Sequence, residues 1–270
     1  MAIDHGLTIM LFALLGLAFG SAANVVIARL PHWLDHRFRT IPQGHGAPSG
    51  PRSQCPVCLQ PLTVSELVPI LSYVRQRGRC RHCDATISWR YPLVELMGAA
   101  WFVMCLWHAP TTPLIALMWG LWGIVLLVMA WVDATTYWLP DVLTLPFLGA
   151  GLALSAFGAT HISWRDSLIG AGLGWGVLAI VGWFYRWRTQ RIGLGGGDMK
   201  LLAGFGAWLG WIPLPWLLLF ASLTGAIFGV LTLARFRRKK GGDVPIPFGP
   251  FLALAALLVL LYRWGTFGSQ

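Results

Sequence analysis

Acidic residues are scarce in this 270-residue chain. Ten Asp and Glu stand against 20 Lys and Arg, and charged residues make up only 11% of the total. A soluble domain of this length carries roughly a quarter charged residues, so an ordinary soluble enzyme is excluded. There is no His-Glu-x-x-His pair, which excludes the zinc hydrolases built on it. No glycine-rich fingerprint follows a strand-like run, so no dinucleotide cradle can be read. No basic domain large enough to read a groove stands alone. The net charge of +10 lies in clusters between apolar segments, which points to topology and anionic lipid rather than nucleic acid. No basic stretch precedes the first apolar run, and the first arginine, Arg29, follows it. That order predicts a retained helix with its N-terminus outside, not a cleaved signal peptide.

What remains is membrane. The chain is 56% hydrophobic, holds 16 Trp and has a mean hydropathy of +0.65. The apolar segments run Leu7–Ile27, Tyr91–Trp107, Leu114–Val132, Val142–Phe157, Leu168–Trp187, Leu201–Trp211, Leu214–Leu233 and Ile246–Leu261. They predict an all-α polytopic membrane protein with about eight transmembrane helices. Residues 1–30 form the first span, 31–90 a polar insert, and 91–270 a seven-span domain. Leu201–Trp211 is short and runs into Ile212-Pro213-Leu214-Pro215, which predicts a half-length or broken helix. Irregular backbone of that kind is tolerated where it lines protein or water. With the N-terminus outside, 18 of the 20 basic residues fall on the cytoplasmic side, and only Arg165 and Arg263 lie outside. The reverse threading breaks the positive-inside rule almost completely.

The polar insert holds two C-x2-C pairs, Cys55-Pro-Val-Cys58 and Cys80-Arg-His-Cys83. Two such knuckles at this separation resemble a four-cysteine zinc site of the ribbon type, in which four thiolates close a tetrahedron. Two disulfides or a redox pair are the alternatives, and a cytoplasmic position disfavours disulfides. The site reads as closed and structural. His32, His36 and His45 read as solvated, and His82 is the one histidine placed to compete as a ligand. Cys105 lies in a span and reads as a small packed side chain.

Two acids stand at span ends. Asp133 closes the third span, and Asp198 opens the sixth after Gly193-Leu194-Gly195-Gly196-Gly197. The threading puts both at the cytoplasmic edge. Ionisable residues at a membrane span are functional candidates. Paired carboxylates can share one proton, so that one activates water and the other polarises a carbonyl. The alternative is that both merely end helices, with Asp198 as an N-cap. Gly195 and Gly197 leave backbone open to a substrate chain. Lys200 can steady a carboxylate or an acidic substrate group. Asp141 reads as the cap of the helix starting near Val142. Asn24, on the inner end of the first span, is either packing glue or part of a site. Glu95, at the start of the second, is costly unless paired, and Arg90 is the obvious partner. A transporter would place such acids deep inside its spans.

These residues carry a family resemblance over nearly the whole chain. Gly20-Ser-Ala-Ala-Asn24-Val-Val-Ile-Ala-Arg29-Leu-Pro31, the two cysteine pairs with Pro69-Ile-Leu-Ser-Tyr73 between them, and Ile87-Ser-Trp-Arg90-Tyr-Pro-Leu-Val-Glu95 are its first part. Asp133 through Pro140-Asp141-Val-Leu-Thr144, and Gly195-Gly-Gly197-Asp198-Met-Lys200, are its second. Together they resemble the type IV prepilin peptidases, within the membrane aspartic proteases that carry a G-x-G-D motif. The resemblance implies that Asp133 and Asp198 are the catalytic pair. It implies an enzyme of the bacterial inner membrane that cuts the leader from prepilins or pseudopilins of pilus and secretion systems. It also implies N-methylation of the new terminus from S-adenosylmethionine. Ala22-Ala23 and Leu67 depart from the pattern, where a bulky pair and an Asn are expected. Both lie near regions tied to methyl transfer, so a peptidase without that activity is the alternative. Membrane lipids are the other implied partner.

Overall fold

The computed structural model describes residues 5–38, 53–109, 111–160, 162–191, 193, 195–236 and 246–267. His45, Leu194 and the basic run 237–240 lie outside the described residues, as do the side chains of His32 and His36. The helices are α1 His5–Phe38, α2 Leu71–Arg75, α3 Arg90–His108, α4 Pro113–Thr136, α5 Asp141–Ala156, α6 Trp164–Thr189, α7 Gly196–Leu209, α8 Leu214–Phe236 and α9 Gly249–Phe267. Extended pairing among the described residues is confined to two isolated bridges, Gln54–Pro61 and Arg79–Thr86. The eight apolar segments of the sequence coincide with α1 and α3 to α9. Four stretches have the length and hydropathy to cross a bilayer: His5–Pro31, Pro113–Thr136, Trp164–Thr189 and Leu214–Thr232. The chain divides into two compact units, Met1–Val128 and Met129–Gln270.

In the first unit α1 packs on α3 backbone to backbone. A Cβ added to Gly16 would stand 2.5 Å from Gly98 O, and one on Gly20 would stand 2.7 Å from Glu95 Cα. Apolar burial drives little inside a bilayer, so close approach and interhelical hydrogen bonds hold such a pair. Asn24 supplies one such bond, with Nδ2 donating to Tyr91 O at 3.0 Å.

The second unit is built around α7. Leu201 to Leu209 are all buried there, on every side of the helix. At 14 residues α7 is about 21 Å long, too short for a ~30 Å hydrocarbon core. The short span expected from the sequence is therefore an enclosed helix that never needs to face lipid. Its wall on α6 is glycine, since a Cβ on Gly206 would collide with the Gly170 carbonyl. Ser167 Oγ donates to Ala207 O at 2.7 Å, and Trp208 Nε1 donates to Phe147 O at 2.8 Å. Arg263 of α9 donates to Leu209 O at 2.7 Å, satisfying a carbonyl of the last turn. These contacts fix the far end of the helix that carries Asp198.

Candidate functional site

Asp133 lies in the last turn of α4 and is only 4% exposed. Thr136 Oγ1 donates back to Val132 O at 2.7 Å, and Tyr137 N–H donates to Asp133 O at 2.8 Å. Tyr137 takes φ +55°, a left-handed conformation that is strained for a bulky residue. It stops the helix and turns the chain, so that Leu139 and Pro140 fold back into buried positions before α5 starts. Oδ2 of Asp133 accepts the backbone N–H of Gly249, the first residue of α9, at 2.9 Å.

Asp198 lies in the first turn of α7, where the helix dipole favours an acid. The N-cap is Gly195, not Asp198, and the Asp198 N–H donates to Gly195 O at 3.2 Å. Leu139 joins the two halves. A Cβ on Gly197 would stand 2.6 Å from Leu139 Cβ; one on Gly249 would stand 3.1 Å from Leu139 Cδ1. The start of α7, which carries Asp198, and the start of α9, whose Gly249 bonds Asp133, thus press on one leucine. Gly195 and Gly196 are exposed beside them. Gly249 and Leu139 were not read from the sequence as site residues. The one signal was a glycine before a proline at the start of an apolar run.

Lys200 forms an ion pair with Asp141 at 2.5 Å. Asp141 was expected to cap α5, but Pro140 holds the cap position and Asp141 is already helical, so its carboxylate turns to the lysine. The pair ties the start of α5 to the start of α7.

Asn24 and Glu95 lie in the first unit. Asn24 is 2% exposed, and its Oδ1 is a buried acceptor without a partner. Glu95 Oε2 accepts the N–H of Ile70 at 2.7 Å. The expected ion pair with Arg90 is not formed. Residues five apart do not share a helix face, and the Arg90 guanidinium lies 4.8 Å from the Tyr91 ring centroid. Ile70 has φ +58°, an outlier for a β-branched residue. A buried carboxylate therefore pins a strained turn of the cysteine segment onto α3.

The four cysteine sulfurs lie within 4.8 Å of one another. Cys55 and Cys83 are 3.8 Å apart, and Cys58 and Cys80 are 4.0 Å apart, so they are thiols rather than disulfides. Four sulfurs ~2.3 Å from one ion stand about 3.8 Å apart in a tetrahedron. The knuckles repeat one backbone design. Leu59 N donates to Cys55 O and Asp84 N to Cys80 O, and Leu59 and Asp84 both take φ +60°. Burial pushes the Cys55 thiol up, but the N–H groups of Cys58 and Val57 outweigh it and bring it to about 7. His82 Nε2 faces Glu66 Oε1 at 3.8 Å and is not among the clustered ligand atoms. The set can hold one metal ion with no open position.

Comparison with known proteins agrees with this division. Residues 14–109 match the family model for the bacterial peptidase A24 N-terminal domain, and residues 120–230 match the type IV leader peptidase family. A prepilin leader peptidase/N-methyltransferase of Aeromonas hydrophila is 41% identical over 97% of this chain and 93% of its own. Proteins of the same name from Pseudomonas aeruginosa (41% identical, 93% of this chain and 89% of its own) and Burkholderia pseudomallei (39% identical, 97% and 87%) are similar. No solved structure matches. With helices, carboxylates and cysteines in these places, and relatives matching nearly end to end, the chain belongs to the type IV leader peptidase family.

Proposed function

We propose that this chain is an aspartic endopeptidase of the bacterial inner membrane. It removes the leader from prepilins or pseudopilins on the cytoplasmic side, then N-methylates the new terminus. The observation that carries the reading is that the α7 start bearing Asp198 and the Gly249 that bonds Asp133 both pack on Leu139. One carboxylate, ionised, takes a proton from water, whose oxygen attacks the scissile carbonyl carbon. The other, protonated, donates to the carbonyl oxygen. On collapse of the tetrahedral adduct the first carboxylate passes the proton from water to the leaving amine, and the second takes its proton back from the hydroxyl as the carbonyl re-forms. The exposed glycines before Asp198 admit the extended substrate backbone. The basic cytoplasmic face repels a basic leader, so the apolar substrate helix supplies most of the binding. In this topology α1 and α3 to α9 supply eight spans, with α7 internal and the N-terminus outside. The direct test is the N-terminal mass of a candidate prepilin incubated with purified enzyme.

Cys55, Cys58, Cys80 and Cys83 hold structural zinc in this reading. Elemental analysis should give one zinc per chain. Cys58→Ser should lose the metal and lower yield and thermal stability more than the intrinsic rate of peptide cleavage, because structural zinc mainly supports folding. Reduced, fully active protein without zinc would overturn the assignment.

S-adenosylmethionine supplies the methyl group. Among the described residues no strand leads into a glycine-rich loop, so a dinucleotide-type cradle does not fit and no donor residues are assigned. The unpartnered Asn24 Oδ1 and the buried Glu95 carboxylate are acceptors suited to an amino group, and both lie in the first unit, away from the aspartates in sequence. Asn24→Ala and Glu95→Gln should therefore cut methylation at least tenfold, about the cost of one buried hydrogen bond to a charged group, while cleavage falls far less. The check is the mature pilin mass with and without one methyl group. Equal loss of both activities would assign these residues to the fold alone.

A further inference from the structure

The cysteine segment carries a second feature that neither cleavage nor methylation uses. A cavity of about 710 Å³ opens beside the second knuckle, lined by Arg75, Arg77, Arg79 and Arg81 with Glu66 and Asp84. The lining holds four arginines and two acids, an excess of two positive charges. None of the four arginines forms an ion pair within 4 Å among the described residues, although the charge of Arg81 acts on Glu66. Arg77 and Gly78 turn the chain at φ +52° and +69°, Arg79 pairs with Thr86 in an isolated bridge, and Arg81 follows in the second knuckle, so successive turns bring the arginines to one cavity. Like charges gathered around one cavity repel unless anions balance them, and guanidinium groups match phosphate oxygens in paired hydrogen bonds. At the wall, Glu66 commits Oε2 to Thr63 N and Thr63 Oγ1, at 2.8 and 2.7 Å. Its Oε1 is buried without a hydrogen bond, with His82 Nε2 3.8 Å away. A ligand that brings an anion and a hydroxyl would satisfy both halves.

The surroundings say which source supplies it. Ile70 is bonded to Glu95 at the start of α3, so α2 and the arginines after it stand at the end of a span. Beside them Val64, Leu71 and Val74 are 83%, 63% and 65% exposed. Exposed aliphatics next to a cationic cleft are what the headgroup boundary of an acidic bilayer receives. We propose that this cleft binds the headgroup of an anionic phospholipid, the arginines taking the phosphate, Glu66 taking a headgroup hydroxyl, and Leu71 and Val74 lying against the acyl boundary. The inference rests on the membrane topology given above. Its role is to seat the cysteine segment on the inner leaflet.

A zinc tetrathiolate would carry two negative charges, and Cys80 also lines the cavity, so the arginines have a rival task as its counter-charge. The test separates the two. Full-length enzyme in mixed micelles is titrated with phosphatidylglycerol or phosphatidylcholine, and bound lipid per chain is read by native mass spectrometry. Metal content is measured on the same samples. One phosphatidylglycerol should bind selectively. The triple variant Arg77→Gln, Arg79→Gln, Arg81→Gln should weaken it roughly tenfold or more with zinc retained. The variant Arg186→Gln, Arg188→Gln, Arg191→Gln, which removes equal charge elsewhere, should bind as the wild type. Equal binding of both lipids, equal loss in both variants, loss of zinc in the first variant, or displacement of lipid by inorganic phosphate would each overturn the proposal. Failure of the topology itself would show differently, as protein that does not insert into bilayers.

Discussion

Asp198→Asn and Asp133→Asn should each reduce prepilin cleavage to background. Asparagine keeps the shape of aspartate but can neither accept a proton from water nor hand one to a carbonyl. Positioned acid–base catalysis contributes about 10²–10⁴-fold per group, so a loss of roughly 10³-fold or more is expected for either variant. Both should accumulate normally in the membrane, because Asp133 is held through an acceptor oxygen that the amide retains, and Asp198 makes its cap contact through backbone. Asp141→Asn is the internal contrast. It loses an ion pair whose side chains are 57% and 33% exposed. Pairs of that exposure are worth at most ~1 kcal/mol, so its rate should fall only a few-fold. The measurement is the fraction of prepilin carrying the mature N-terminal mass, followed over time. Near-wild-type cutting by either member of the pair would remove the aspartic mechanism.

What the sequence disclosed follows from the range of its signals. Asp133 and Asp198 stood out because acids are rare and both fall at the ends of apolar runs. The cysteine knuckles were legible because ligand spacing is local, and the sulfur distances agree with it. The half-length α7 was legible from a short run ended by prolines. Its enclosure was not, since a helix buried on every side and one facing lipid carry the same hydropathy. Glu95 shows a second limit. Its nearest cation in sequence is Arg90, but helix geometry turns the two apart, and the true partner is the Ile70 N–H, 25 residues back in a loop. Gly249 shows a third. It lies 116 residues from Asp133, and nothing in a period or motif ties a backbone N–H to a carboxylate that far away.

Gly249→Ala should therefore cost more than its size suggests. The added Cβ would stand 2.7 Å from Asp133 Oδ2, closer than carbon and oxygen approach, and 3.1 Å from both Asp133 Cγ and Leu139 Cδ1. The leucine tip can give way, but the carboxylate sits on the last turn of α4 and accepts its hydrogen bond from the same residue that now pushes it. Relief means turning the carboxylate off the Gly249 N–H. Asp133 then loses a donor that fixes its aim, and a small misplacement at a reacting group can cost about 10²-fold. We expect kcat to fall by roughly ten- to a hundredfold with KM little changed. The backbone itself tolerates the change. Gly249 is not at positive φ, and alanine in a helix is favoured over glycine by about 0.5–1 kcal/mol. Stability should thus hold while catalysis drops, which separates a re-aimed carboxylate from a damaged fold. Gly149→Ala, at a helical glycine with nothing within 4 Å of its added carbon, is the matched control and should cleave like the wild type. Initial rates over a range of prepilin concentrations, with thermal unfolding of both variants, decide the matter. A wild-type kcat in Gly249→Ala would mean that the last helix does not set the aim of Asp133.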